Sequence, residues 1–255
     1  MHASTAKSPS RPNARRRLVT LACLTAMATP ALADVSQDGG VEPWFQANAV
    51  VGLSGQVIDV GHRMVGDWGR VDVRSGGRLT AGGMRLYSGS LEVVDAGSFL
   101  ALSGASSPLW VGHGRNGFLN IQRGGVVEAA SCGVGQCDTL IGGTTGAALN
   151  FGNSHFPSDI ENGAKGDLII SGAGSRLSTG GTLRLARAYV GNPADAIPAG
   201  VRGGTAVGVV QVSAGGTLVT GDALVGIGPS GPGHSGAESA VGYITIDGAG
   251  SSWTL

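Results

Sequence analysis

Charge is scarce in this sequence: Lys, Arg, Asp and Glu supply 13% of its 255 residues and aromatics 5%. The charged share is about half the usual one. Few charges beside 47 glycines could describe a disordered linker, but such linkers lack regularly placed Val, Leu and Ile. Here hydrophobic residues reach 42%. A strict Gly-X-Y period is missing, which excludes collagen, and so much glycine excludes a helical bundle. The apolar run Leu18–Ala28 has eleven residues, too few to cross a bilayer. What remains is an ordered β protein punctuated by glycine.

The run at Leu18–Ala28 has a role of its own. Lys7, Arg11, Arg15, Arg16 and Arg17 precede it without an acid, and Pro30 and the small residues Ala31–Ala33 follow it. This is the layout of a secretory signal peptide, with cleavage expected after Ala33. Thr20 stands where a lipobox requires Leu, so Cys23 is set aside as a lipoprotein site. General secretory and twin-arginine export both remain open. Losing residues 1–33 removes five of 17 basic residues and none of 17 acids, leaving a net charge of −5. Such a surface lacks the basic face that nucleic acid or an anionic membrane calls for. Two cysteines stay, Cys132 and Cys137 in "SCGVGQC". In an exported chain this close pair reads as a small-loop disulfide. A zinc site would need a second pair, and a redox motif two intervening residues rather than four.

Against this sparse background one phrase recurs. Aligned on a glycine, six copies start at Gly69, Gly89, Gly117, Gly166, Gly208 and Gly242. Two residues on stand Val71, Leu91, Leu119, Leu168, Val210 and Ile244, and two further on Val73, Val93, Ile121, Ile170, Val212 and Ile246. Eight after each start comes a glycine again: Gly77, Gly97, Gly125, Gly174, Gly216 and Gly250. An apolar residue follows in every copy: Leu79, Phe99, Val127, Leu177, Leu218 and Trp253. Period-2 alternation specifies a strand with one buried face, the other carrying Asp72, Glu92, Asn120, Gln211 and Thr245. The Gly-Gly and Ala-Gly pairs mark corners whose φ values side chains resist.

A third strand ending in a glycine corner is expected at "MVG" (Met64–Gly66), "WVG" (Trp110–Gly112), "LIG" (Leu140–Gly142), "YVG" (Tyr189–Gly191) and "LVG" (Leu224–Gly226). Length varies mainly after that corner, through inserts at 143–165, 192–207 and 227–241. Insertion at one point of a coil emerges on one edge of a solenoid. A single coil cannot bury its inward Val, Leu and Ile; stacked coils can. The fold class read here is all-β: a parallel β-helix, expected right-handed, of six or more glycine-punctuated repeats. Residues 1–33 form the signal peptide, 34–60 an N-terminal cap that includes Trp44 and Phe45, and 61–255 the solenoid.

"YVG…GVVQVSAGGTLVTGDALVGIG" (Tyr189–Gly228) and "GYITIDGAGSSWTL" resemble the repeat associated with type V secretion and PEP-CTERM proteins, found in passenger regions of Gram-negative autotransporters. The resemblance covers roughly 61–255. It implies a β-solenoid displayed outside the cell, in chains that usually end in an outer-membrane β-barrel. No barrel pattern follows in this sequence. "ITIDGAGSSWTL" opens a sixth copy without a polar cap, so the expectation is the N-terminal piece of a longer protein.

Chemistry finds little support. β-helix enzymes need converging carboxylates, and the best local cluster, Asp159, Glu161 and Asp167 with Lys165, lies in an insert. Asp72 and Glu92 share a repeat column, but Asn120, Ile169, Gln211 and Thr245 continue it without acids. His62, His113, His155 and His234 read as solvated loop residues without metal spacing. No phosphate loop, nucleophile elbow or Cys-His dyad appears. Trp110 and Trp253 occupy apolar columns and read as core. No catalytic, cofactor or metal residues are expected. The leading function is non-enzymatic adhesion to a host-surface, matrix or glycan ligand. The rivals are a carbohydrate-active β-helix enzyme and a passive spacer.

Overall fold

The computed structural model describes residues 34–61, 68–103, 109–113, 115–130, 138–143, 164–187, 205–227 and 239–255. The expected signal peptide with its Ala33 cleavage site, Cys132, Cys137, Asp159 and Glu161 lie outside these residues. Among the described residues every regular element is a strand.

Two short strands, β1 (Asp34–Gly39) and β2 (Val41–Glu42), lead into β3 (Val50–Val60). Six coils follow. Their first strands are β4 (Gly69–Arg74), β6 (Gly89–Val94), β9 (Gly117–Gln122), β12 (Lys165–Ser171), β15 (Ala206–Ser213) and β18 (Ala240–Asp247). In coil 1 the second and third strands run together as β5 (Arg78–Leu86). In coils 2 to 5 they separate: β7 (Phe99–Leu102) and β8 (Leu109–His113), β10 (Val126–Ala129) and β11 (Thr139–Gly143), β13 (Arg176–Thr179) and β14 (Thr182–Arg187), β16 (Thr217–Val219) and β17 (Asp222–Ile227). Coil 6 shows a second strand, β19 (Ser252–Thr254).

The first strands form one sheet in the order β1-β4-β6-β9-β12-β15-β18, parallel throughout except for antiparallel β1. The second and third strands, with β2 and β3, form a twelve-stranded sheet, its two halves joined at β5, which pairs with β7 along one half and β8 along the other. Register follows the sequence repeat. Gly69 faces Gly89, which faces Gly117, then Gly166, Gly208 and Gly242. Val71, Leu91, Leu119, Leu168 and Val210 stack beside them, all fully buried. The alternating burial of β4 and β9 is the expected consequence of one face turned to the core. The chain is an all-β parallel solenoid.

The start glycines are required by proximity. A Cβ on Gly166 would sit 2.2 Å from both the Gly142 amide nitrogen and the Val111 carbonyl oxygen. The third strand of one coil therefore passes directly against the first strand of the next. Of the stretch 34–60, β1 covers the free edge of β4 in antiparallel register, whereas β3 already belongs to the parallel stack on β5. Phe45 is buried and Trp44 is exposed.

Three expectations need correction. Phe99 is not the inward residue of its coil: it pairs with Arg78, whose guanidinium lies over its ring, and Leu100 joins Leu79 and Val127 in the buried column. The corner before Phe99 is one residue longer than that before Leu79, so a fixed offset from the start glycine lands on the wrong face. The third strands of coils 1 and 4 are Met84–Leu86 and Leu183–Leu185; "MVG" (Met64–Gly66) and "YVG" (Tyr189–Gly191) lie outside the described residues. Trp110 lies between inward Leu109 and Val111, paired with outward Arg85, so it is not core. His113 is a buried residue of β8 rather than a solvated loop residue.

Candidate functional site

The outer surface of the first sheet has two halves of different chemistry. On coils 1 and 2 the outward positions of β4 and β6 bring Asp72 beside Glu92. Arg70 Nε donates to Asp72 Oδ2 at 2.8 Å, and Arg74 Nε to Asp72 Oδ1 at 3.2 Å. Arg70 Nη2 reaches Glu92 Oε2 at 3.2 Å, and Arg74 also donates to Glu92. The Asp72 carboxylate, opposed by the cost of burial and helped by Glu92 and Asp38, holds the Arg70 guanidinium above its ordinary value. Both carboxylates are thus occupied by two cations. An acid–base pair needs at least one carboxyl group free to face a substrate. This quartet is a charge-balanced clamp.

On coils 3 to 6 the same column continues as Asn120, Ile169, Gln211 and Thr245. The neighbouring column runs Phe118, Asp167, Val209 and Tyr243. Asp167 is paired with Lys165 at 2.9 Å. Phe118 holds Trp68 against it, ring centroids 5.8 Å apart, while Tyr243 is 57% exposed. Apart from the Lys165–Asp167 pair, outward positions that carry amides, hydroxyls and apolar groups leave a nearly neutral, carboxylate-poor strip.

A second cluster sits on the outer face of the third strands. Arg85 forms two hydrogen bonds with Asp59, at 2.6 and 2.7 Å, and its guanidinium lies over Tyr87 and Trp110. Trp110 stacks on His113 at 4.7 Å between centroids, and Tyr87 meets His113 edge-on at 5.4 Å. Burial pushes the His113 imidazole down to about 4, and the Arg85 charge adds to that. Burial also pushes the Tyr87 phenol up. Further along, Arg184 binds Asp138, and burial followed by Arg184 lowers Arg187. A neutral imidazole under a cation, sealed by rings, is an anchor for the coil corner. The spacing of His113 in sequence gave no sign of it, although its neighbours Trp110 and Tyr87 are the aromatics such a pocket requires.

The described ends of the inserts share one place in the coil. Third strands end in the column His113, Gly143, Arg187 and Ile227, and the next first strands bear Gly117, Gly166, Gly208 and Gly242. Of the corner glycines, Gly97, Gly174 and Gly250 have φ values of 88°, 81° and 79°. At Gly77, Gly125 and Gly216 the left-handed residue is instead the preceding glycine, and a Cβ would meet backbone of the neighbouring strand. Trp253 continues the inward Leu218 column, and its Nε1 donates to Thr220 Oγ1 at 3.1 Å. Among the described residues no group of three or more His, Cys, Asp or Glu side chains converges as a metal site.

No protein-family model matches this chain, and no solved structure matches it. It is similar to the protein named adhesin BmaC autotransporter, of Brucella suis biovar 1 (strain 1330), with 29% identity over 141 residues. The matched stretch is 53% of this chain and 4% of that protein. Over about half its length, then, the chain is similar to an autotransporter adhesin.

Proposed function

We propose that this chain is an exported, non-enzymatic β-solenoid segment of an autotransporter-like surface protein, and that it adheres to a host-surface, matrix or glycan ligand. The contact comes from the neutral outer strip of coils 3 to 6 and from the inserts rooted beside it. The observation that carries this reading is the pairing of Asp72 and Glu92 with Arg70 and Arg74, which leaves that carboxylate pair without a free member. Similarity to an adhesin supports the same side. Export rests on the signal-peptide layout, so the mature N-terminus is expected at Asp34. A disulfide between Cys132 and Cys137 would brace the corner between β10 and β11.

The exported protein would be applied to immobilised matrix proteins and neutral polysaccharides. Retention on at least one surface, without release of soluble product from any polysaccharide, is expected. Product release would overturn the non-enzymatic reading. Absence of retention on every surface would favour a passive spacer.

A further inference from the structure

The corners between the first and second strands come in two kinds, and the kinds alternate. Coils 1, 3 and 5 have a short corner of two left-handed residues: Ser75–Gly76, Arg123–Gly124 and Ala214–Gly215. The next glycine amide closes it, Gly77 onto the Arg74 carbonyl at 2.8 Å, Gly125 onto Gln122 at 3.1 Å and Gly216 onto Ser213 at 2.9 Å. Coils 2, 4 and 6 have a corner one residue longer. It runs Asp95-Ala96-Gly97-Ser98, Gly172-Ala173-Gly174-Ser175 and Gly248-Ala249-Gly250-Ser251, with positive φ at its first and third residues.

Each long corner ends in a serine with one arrangement. Its hydroxyl donates to the carbonyl four residues back: Ser98 to Val94 at 2.6 Å, Ser175 to Ser171 at 2.7 Å, Ser251 to Asp247 at 2.6 Å. The same oxygen accepts the corner amide of the preceding coil, at 3.0 Å in all three cases: Gly76, Gly124 and Gly215. The geometry is complementary. In the short corner the second left-handed glycine turns its N–H along the solenoid axis, away from its own carbonyls, so the acceptor must come from the next coil. A short corner there would offer no hydroxyl and orphan the amide. Two long corners in succession would leave the serine oxygen without its donor.

We infer that the structural unit of this solenoid is a pair of coils clasped by one serine, coils 1 and 2 by Ser98, 3 and 4 by Ser175, 5 and 6 by Ser251, and that the rod opens at the junctions between pairs. At the corners those junctions keep backbone bonds, Asp95 N–H to the Gln122 carbonyl at 3.1 Å and Gly172 N–H to that of Ser213 at 3.2 Å, but their side-chain cross-links are weaker. Between coils 2 and 3 the corner is bridged by Arg123 and Asp95 at 2.8 Å, with the arginine side chain 65% exposed. Between coils 4 and 5 it is bridged by the Ser213 and Ser171 hydroxyls at 3.1 Å. An exposed ion pair contributes little, whereas a part-buried amide stripped of its acceptor costs more.

Hydrogen exchange of the full chain across a denaturant series tests this. Amides of β9 and β12 are expected to open together, with a step in protection between β6 and β9. In Ser175→Ala the Gly124 amide should exchange roughly tenfold faster or more, with Gly76 unchanged. Ser251→Ala touches a half-exposed residue of the last coil and leaves the core intact; it should free the Gly215 amide likewise. Steps falling between β9 and β12, or serine variants whose glycine amides exchange as in the parent, would overturn the pairing.

Discussion

The first and last described coils carry aliphatic residues in the same columns with opposite results. At the N-terminal end Val71 and Val73 of coil 1 are fully buried, because antiparallel β1 lies along β4 and contributes Val35 to the core. At the other end Ile246 of coil 6 is 44% exposed and Val225 of coil 5 is 47% exposed. Yet Val212 and Leu185, one coil earlier, are fully buried. Burial in this fold is therefore supplied by the next coil rather than by the coil itself, the property of a one-dimensional stack. Hydrophobic stabilisation per residue is a function of position along the axis, even where the sequence phrase is unchanged.

Core truncations should show the largest gap between a mid-stack coil and the last described one. Leu168→Ala, mid-stack and fully buried, is expected to cost about 2–5 kcal/mol through lost transfer energy and a cavity. Ile246→Ala in the last coil should cost under about 1 kcal/mol, because the site is half solvent already. Denaturant midpoints of the two variants measure the gap; equal losses would contradict an axial gradient.

The glycine column gives the next effect. Gly166→Ala drives a Cβ into two backbone atoms at 2.2 Å, and overpacking against backbone costs about 1–3 kcal/mol. At Gly242 the nearest atom is Val225 Cγ1, at 2.5 Å, on a half-exposed side chain that can move. Thermal melts should rank Gly166→Ala well below Gly242→Ala.

His113 gives the smallest effect and confines it to the N-terminal half. Its folded value of about 4 lies below the ordinary 6.5, so burial of the neutral ring contributes stability that is complete above about pH 6.5. That contribution erodes as pH falls towards 4. Near pH 5.5 the loss is about 1 kcal/mol. The column partner Ile227 carries no proton. Melting temperatures of the parent and His113→Gln at pH 7.5 and 5.5 should differ in slope, with the variant flatter over this window.

Much of this stack was legible in the sequence, and the exceptions have specific causes. The columns headed by the start glycines appeared because alternation and close approach both act on fixed offsets within a single strand. Phe99 was misread because corner length alternates by one residue, and a one-residue slip turns every side chain to the other face. Trp110 was misread because "LWV" is apolar throughout, so its period gives no inward direction. His113 was misread because its burial depends on Tyr87 and Trp110, which arrive from different strands. Of the Arg70, Asp72, Arg74 and Glu92 clamp, only the carboxylates stood out in the sequence. The bonds from Arg70 and Arg74 to Asp72 follow from i±2 spacing on one strand face, and only those to Glu92 need the parallel register.

An in-register stack assembled from coil pairs is open to test by paired deletions. Removing residues 117–165 joins Asn116 to Gly166 and sets one long corner on another. Removing residues 117–207 joins Asn116 to Gly208 and restores a short corner above a long one. Both keep the glycine register, and both lose coil 3. The longer deletion is expected to melt higher and more cooperatively than the shorter one. A shorter deletion as stable as the longer, or more so, would contradict it.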